Sequence, residues 1–319
     1  MTDLPIELSL AVRRLAEGRK GLADSSSRMS EHYRQRGASR QVIGGADDAI
    51  AYALSRMPAT YAAVSAVLDE LKARAPDFTP ATLLDAGAGP GTAGWAVADA
   101  FADVSVTLMD HNRSFLGLAQ TLIEGSALAG AELIEGDLVR FELGRRFGLV
   151  TCAYALTELP DAEMLAAAER LWRHCDGALT IIEPGRPRDY ERLMEVRRRL
   201  IELQGRVLAP CPHENECPLV EPDWCHFSVR LSRTRDHMRM KGGTLGYEDE
   251  KFSYLIVTRD GIGTPAPGRV LRRPEENKFS VTLAVCAPEG LETRVVPSRD
   301  KVAFKVAKKL EWGDATGSR

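Results

Sequence analysis

Four cysteines in this chain, Cys211, Cys217, Cys225 and Cys286, have the type and spacing of ligands to one metal centre. The first three lie in the polar run APCPHENECPLVEPDWCHF, with gaps of five and seven residues, and sixty more precede Cys286. Thiolates are soft ligands, suited to zinc or to iron–sulfur. Structural zinc commonly uses a short C-x2–4-C pair that wraps backbone around one small ion, and the chain has no such pair. The wider gaps, stiffened by Pro210, Pro212, Pro218 and Pro222, suit a larger object such as a cubane cluster, with zinc as the alternative. Cys286 closes an apolar strand, and His213 or His226 could serve in its stead. Cys152, inside a strand, and Cys175, late in a helix, read as small core hydrophobes.

A second constellation lies upstream. The run Leu83-Leu84-Asp85-Ala86-Gly87-Ala88-Gly89-Pro90-Gly91-Thr92 passes from an apolar strand into a helix. Gly87 and Gly89 let backbone approach a ligand where a Cβ would clash, and Gly91 opens the helix at its positive end. A dinucleotide loop places its third glycine where Thr92 stands. The loop instead resembles the D-x-G-x-G-x-G of S-adenosylmethionine-dependent methyltransferases. Asp110, 23 positions after Gly87, ends the next strand, where a carboxylate would bond ribose hydroxyls. Asp137 ends the third, within reach of an adenine amino group. After the fourth strand stands Tyr154-Ala155-Leu156-Thr157-Glu158-Leu159-Pro160, which lacks the N/D-P-P-Y/F of amino-directed methyltransferases and offers no clear general base beyond Glu158. The catalytic residue is therefore left unassigned; methyl transfer from a sulfonium can proceed largely by alignment.

The elements that must position these groups follow from periodicity. Residues 1–75 read as helical, with Leu8, Val12 and Leu15 in one run and Tyr61, Val64, Val67, Leu68 and Leu71 in another. From about residue 80 to 185 strands and helices alternate, the pattern of an α/β parallel sheet with helices on both faces. A basic helix over 186–206 follows, then the cysteine stretch. Phe252–Arg259 and Lys278–Val285 alternate as strands expected to complete the sheet. Asp300–Leu310 reads as a short helix with Ser298 as its cap. The expected division is a helical region over 1–75, a Rossmann-like core over 76–206, and a cysteine-rich metal- and RNA-binding region over 207–319.

Composition narrows the function classes. The 319 residues are 44% hydrophobic, enough for a sizeable core, and the net charge is -3, so nucleic-acid contact must come from local clusters. Arg230, Arg233, Arg235, Arg239 and Lys241 form one cluster and Arg272 and Arg273 another. They could neutralise phosphates, with Trp224, Phe227 and Tyr247 near enough to stack on unpaired bases. No stretch has the length of a membrane span. The N-terminus MTDLPIELSLAVRRLAEG lacks a signal peptide's apolar core and is too acidic for a typical transit peptide. The expectation is a reducing, bacterial cytoplasm, where cysteines favour metals over disulfides.

Taken in order, RMPATYAAVSAVLDEL, LLDAGAGPGTAGWA, APCPHENECPL, DWCHFSVRLSRTRDH, GYEDEKFSYLIV and VAKKLEWGD resemble the methyltransferase-like small-ribosomal-subunit assembly factors of mitochondria and their bacterial relatives. The resemblance implies contact with rRNA or the immature small subunit, and a [4Fe-4S] site on Cys211, Cys217, Cys225 and Cys286. It leaves open an rRNA methyltransferase and a non-catalytic assembly factor, for which zinc is the alternative metal. A redox or radical enzyme is disfavoured by the absence of C-x3-C-x2-C.

Overall fold

The computed structural model describes residues 3–34, 43–233, 238 and 245–317. Four helices open the chain: α1 (Ile6–Ala16), α2 (Leu22–Arg34), α3 (Ala46–Ser55) and α4 (Met57–Arg74). α4 is buried around much of its circumference, through Tyr61, Ala62, Ala63, Val64, Val67, Leu68 and Leu71. A helix apolar on that many sides must be covered on that many sides, and α4 packs against the first helix of the core and against strands of both the core sheet and its antiparallel edge.

The core then alternates: β1 (Thr82–Ala86), α5 (Thr92–Ala100), β2 (Ser105–Asp110), α6 (Arg113–Ile123), β3 (Glu132–Glu135), β4 (Phe147–Ala153), α7 (Asp161–Arg173), β5 (Cys175–Pro184), α8 (Pro187–Glu202), β6 (Arg206–Ala209), β7 (Phe227–Ser232) and β8 (Tyr247–Thr258). The main sheet runs β3-β2-β1-β4-β5-β8-β6, with β7 paired to β8. β1 to β5 are parallel, and β8 is antiparallel to β5, β6 and β7. This is a Rossmann-like α/β sheet whose order reverses between β1 and β4. In such sheets ligands bind outside the carboxyl ends of the strands at that reversal. Strands buried on both faces read as unbroken apolar runs, and Leu83, Leu84, Leu149, Val150, Leu179, Ile181 and Ile182 are each fully buried.

A second sheet comprises β9 (Arg269–Val270), β10 (Glu275–Glu276), β11 (Ser280–Ala287) and β12 (Gly290–Pro297), followed by α9 (Lys301–Ala307). Val281, Leu283 and Val285 alternate inward from β11 onto Ala307, a small core of their own. The strand pattern over Lys278–Val285 therefore belongs here and not in the main sheet, whereas Phe252–Arg259 lies between β5 and β6. Alternation reports one buried face, not which sheet provides it. Two smaller expectations also change. The cap of α9 is Asp300, whose carboxylate accepts from Ala303 N, and Cys175 opens β5 instead of ending a helix. Among the described residues, no helix is long and apolar enough to cross a membrane.

Candidate functional site

The glycine loop is built at the sheet's reversal. Gly87, Gly89 and Gly91 all have left-handed φ, of 73°, 55° and 86°. A Cβ on Gly87 would stand 2.5 Å from the Cβ of Ala155, and one on Gly91 2.9 Å from Leu108. At Gly89 nothing comes nearer than 4.0 Å, so its open side is available to a ligand. Two buried carboxylates hold the loop from within. Asp85 accepts from Gly94 N (2.9 Å), and Asp110 from Gly89 N (2.7 Å) and Asn112 N (2.8 Å). Burial pushes Asp85 up to about 7; Asp110 adds to the rise and the Gly94 amide opposes it. Burial likewise raises Asp110, against the amides of Asn112 and Gly89 and the neighbouring His111. Asp137, half-buried after β3, turns its carboxylate onto Val139 N (2.9 Å), and the Gly136 amide next to it donates to Asp110 O (3.0 Å). The six residues expected to hold the nucleoside thus sit at three adjacent strand ends.

Beside the loop lies a cavity of about 430 Å³ that the sequence reading did not anticipate. Tyr52, Arg56 and Thr60 reach it from α3 and α4, and Tyr154, Thr157 and Glu158 from the segment after β4. Tyr154 takes a left-handed φ of 59°, which disfavours a non-glycine residue. Its N–H donates to Ile182 O (2.7 Å) and its hydroxyl to Glu250 Oε1 (2.9 Å). Only the left-handed turn could have signalled this site, and side-chain type alone does not encode it.

The four cysteines line one pocket together with Tyr190 and Arg269. They arrive from different places: Cys211 just beyond β6, Cys217 and Cys225 in the loop, and Cys286 on β11. All are free thiols. The Tyr190 hydroxyl lies 2.9 Å from Cys217 Sγ, and His213 Nε2 lies 3.5 Å from Cys286 Sγ. Burial, with the neighbouring thiols, raises Cys225 well above the ordinary range and Cys286 to about 12. Cys211 rises by burial too, against the pull of Arg197. Two buried guanidiniums stand against that trend. Arg269, 2% exposed, donates to Pro210 O (3.1 Å) and Gly313 O (3.0 Å) and pairs with Glu70 (2.5 Å). Arg197 donates to His213 O (2.6 Å), and among the described residues its Nε has no hydrogen-bond partner. Among the described residues, no three His, Cys, Asp or Glu side chains converge tightly enough to hold a single ion. His226 is committed elsewhere, stacked on Trp224 and edge-on to Trp312. Cys152 and Cys175 are fully buried in β4 and β5, apart from this pocket.

Of the basic residues, Arg230 pairs bidentately with Asp249 (2.6 and 2.8 Å) and stacks on Tyr247. Arg233 pairs with Glu248 (3.1 Å) and Arg272 with Asp223. Arg273 is exposed. Arg235, Arg239 and Lys241 lie outside the described residues. Arg230 and Arg233, on and just beyond β7, are therefore already matched by acids of β8; the Arg230–Asp249 pair is exposed, and pairs of that kind hold weakly.

Comparison with known proteins places this geometry. The human mitochondrial ribosome assembly protein METTL17 is 29% identical over 292 residues, 83% of this chain and 61% of that protein. A mitochondrial Rsm22-cox11 tandem protein of Schizosaccharomyces pombe is 23% identical over 327 residues, 83% of this chain and 42% of that one. The chain thus spans about half the length of the relatives it matches. Solved structures align loosely. A magnesium protoporphyrin IX methyltransferase of Synechocystis with bound S-adenosylmethionine gives TM-score 0.42 at 16% identity, covering 82% of this chain and all of that one. A Pyrococcus horikoshii protein proposed to be an RNA methyltransferase gives 0.40 at 13%, covering 61% and 81%. The fold rests on strand order rather than on these. The expectation of a bacterial cytoplasm is corrected, because the family model and these two relatives are mitochondrial. That family model matches residues 46–316, and the chain belongs to the family described as mitochondrial small ribosomal subunit Rsm22.

Proposed function

We propose that this chain serves the assembly of a small ribosomal subunit by binding its rRNA, with S-adenosylmethionine at the glycine loop and a [4Fe-4S] cluster on Cys211, Cys217, Cys225 and Cys286. The observation that carries the reading is the meeting of four thiols from separate segments at one pocket, under two buried arginines. Four thiolates on a cluster leave net negative charge, which Arg269 and Arg197 offset where water cannot. The absence of a C-x2–4-C pair favours a cluster over zinc. When bound, the cluster ties the second sheet to the first and supplies folding free energy that the loop between Cys211 and Cys225 lacks alone.

In this reading residues 1–75 cap the sheet, 76–206 hold the nucleoside loop, and 207–319 hold the cluster and RNA contacts while lending β6 and β8 to the core. Gly87, Gly89 and Gly91 bring backbone to the nucleoside. Asp85 and Asp110 fix that backbone, and Asp137 stands at the adenine end. S-adenosylmethionine would supply an electrophilic methyl group there. Arg230, Arg233, Arg235, Arg239, Lys241, Arg272 and Arg273 engage phosphates, for which Arg230, Arg233 and Arg272 exchange their present carboxylates.

A non-catalytic version has one observation in its favour: each oxygen of Asp110 already accepts a backbone amide, from Gly89 of the loop and from Asn112 at the start of α6. Incubating the protein with labelled S-adenosylmethionine and immature small-subunit particles separates the two. Label in rRNA establishes the enzyme; particle binding without label establishes the assembly factor. Anaerobic purification should give a brown protein with about four irons per chain. A colourless, zinc-loaded protein overturns the cluster assignment.

A further inference from the structure

We propose that the cavity beside the glycine loop is a pocket for a single unpaired nucleotide whose base carries an exocyclic amino group. This rests on the rRNA reading above and names the nucleotide class it would take.

Four observations support it. The cavity, at about 430 Å³, is of the size that accepts small ligands, about 300–1,000 Å³. Its wall joins the nucleoside loop at two points. Ala155, which follows the lining residue Tyr154, abuts Gly87, and Tyr52 packs edge-on against Phe115, the side chain nearest to Gly89. A group held here lies next to whatever the loop holds.

The chemistry is sorted by depth. Half-buried within are two aromatic residues, Tyr52 and Tyr154, two carboxylates, Glu158 and Glu250, and one guanidinium, Arg56. Aromatic rings offer any base a face to stack on. Ionised carboxylates only accept hydrogen bonds, so they favour cytosine or adenine, which present amino donors, over uracil, which presents none at that position. At the rim stand Arg186, Arg188 and Lys251. Arg186 and Lys251 are exposed, and Asp249, already paired with Arg230, stands beside them. Cations at the mouth and acceptors within match a nucleotide, whose phosphate stays outside as its base enters.

Finally, Tyr154 is held in a backbone conformation that L side chains resist, pinned by Ile182 O and Glu250. Backbone strain of this kind gathers at ligand sites, and here it turns one aromatic ring into the cavity.

The test uses the full chain with short, unstructured oligocytidylate, oligoadenylate and oligouridylate, read by fluorescence anisotropy, with cytidine monophosphate as competitor. Oligocytidylate and oligoadenylate should bind about tenfold more tightly than oligouridylate. Glu158→Gln and Glu250→Gln should each narrow that preference. The exposed-site variant Arg186→Glu/Lys251→Glu should weaken all three oligomers alike and flatten their salt dependence. Ultraviolet crosslinking should place the base on Tyr52 or Tyr154. Competition by the free nucleotide alone, with no gain from the strand, would assign the pocket to a free metabolite and overturn its RNA role. Equal binding of the three oligomers, or variants indistinguishable from wild type, overturns the pocket itself. Binding to immature subunits is measured alongside. If it persists while base preference is absent, the pocket falls and the ribosomal reading stands; if it too is absent, both fall.

Discussion

Asp189 and Tyr190 are consecutive on α8 and face two different sites. Neighbours on a helix diverge by roughly 100°. Asp189 accepts from Thr157 Oγ1 (2.9 Å) in the segment after β4, while the Tyr190 hydroxyl lies 2.9 Å from Cys217 Sγ. The same helix grips both sites again. Arg192 donates to the carbonyls of Leu156 (3.1 Å) and Leu159 (2.6 Å), and Arg197 to that of His213. A further strut is the Trp224 indole, next to Cys225, which donates to Gly185 O (3.1 Å) at the cavity wall. One rigid rod therefore spans the cysteine pocket and the nucleotide cavity.

The two substitutions on that rod should separate. Tyr190→Phe removes one hydrogen bond to Cys217 Sγ, costs about 1 kcal/mol of fold stability or less, and, on the proposed cluster, should speed loss of iron on exposure to air. Asp189→Asn should leave iron content unchanged and loosen the segment after β4, seen as faster amide exchange at Leu156–Glu158. Iron loss in both variants to the same degree would mean that α8 responds as a whole and not face by face.

The cysteines make a second contrast. Cys286→Ser and Cys217→Ser should each abolish full iron loading. Only Cys286→Ser should also free the second sheet, because Cys286 is the proposed ligand carried on β11. Limited proteolysis should then cut between β8 and β9. Cys152→Ser should instead keep its iron and lose about 1–3 kcal/mol, because it buries a hydroxyl in β4. Retention of iron by Cys286→Ser would pass its role to His213, which already lies 3.5 Å from that sulfur.

Much of this arrangement can be read from residue order. The apolar runs of β1, β4 and β5, and the three acids that close successive strands, belong to local pattern. So does the nearness of Cys211, Cys217 and Cys225. What local pattern cannot carry is long-range partnership. Tyr52 and Arg56 enter the cavity from helices that look like a plain cap, because nothing in a 3.6-residue period says what a helix end will face. Arg269 sits in a Gly- and Pro-rich stretch, a composition that marks turns and loops, yet it is buried by contacts to Glu70, Pro210 and Gly313 from three other parts of the chain.

The glycine loop gives a graded series. Gly87→Ala and Gly91→Ala meet both a left-handed φ and an atom within 3 Å, and each should cost about 1–3 kcal/mol. Gly89→Ala meets only the unfavourable φ, at about 1–2 kcal/mol. It should fold and still lose S-adenosylmethionine affinity, because its methyl would fill the ligand side. Thermal melting with and without cofactor, beside calorimetric titration, checks the order. Undiminished affinity in a folded Gly89→Ala would move the cofactor elsewhere.

Asp85 predicts a pH dependence. Its folded value, about 7, exceeds the ordinary carboxylate value of about 4. Between those two values the native state holds a proton that the unfolded chain has released. Stability from this group is therefore present at low pH, falls as pH rises from about 4 to about 7, and levels off above. The span is a few kcal/mol at most, at about 1.4 kcal/mol per unit. Asp85→Asn can still accept from Gly94 and cannot titrate, so its melting temperature should decline less than that of wild type between pH 5 and pH 8, pH values chosen to bracket the transition. Parallel declines would place the titration on another group.

Arg269 joins stability and cluster in one side chain, and two variants can part them. Arg269→Met leaves Glu70 partly buried with only Arg74 nearby (3.5 Å), and breaking such a pair costs about 3 kcal/mol. Arg269→Lys cannot reproduce the fork that reaches Pro210 O, Gly313 O and Glu70 together, so it should not rescue. Removing both partners in Arg269→Met/Glu70→Leu takes away the stranded carboxylate and should return most of the lost stability. Iron retention should not return with it, because the positive charge facing the four sulfurs is still missing. If the double variant regains its cluster along with its melting temperature, Arg269 acts on the cysteines only by keeping the fold, and Arg197 alone offsets their charge.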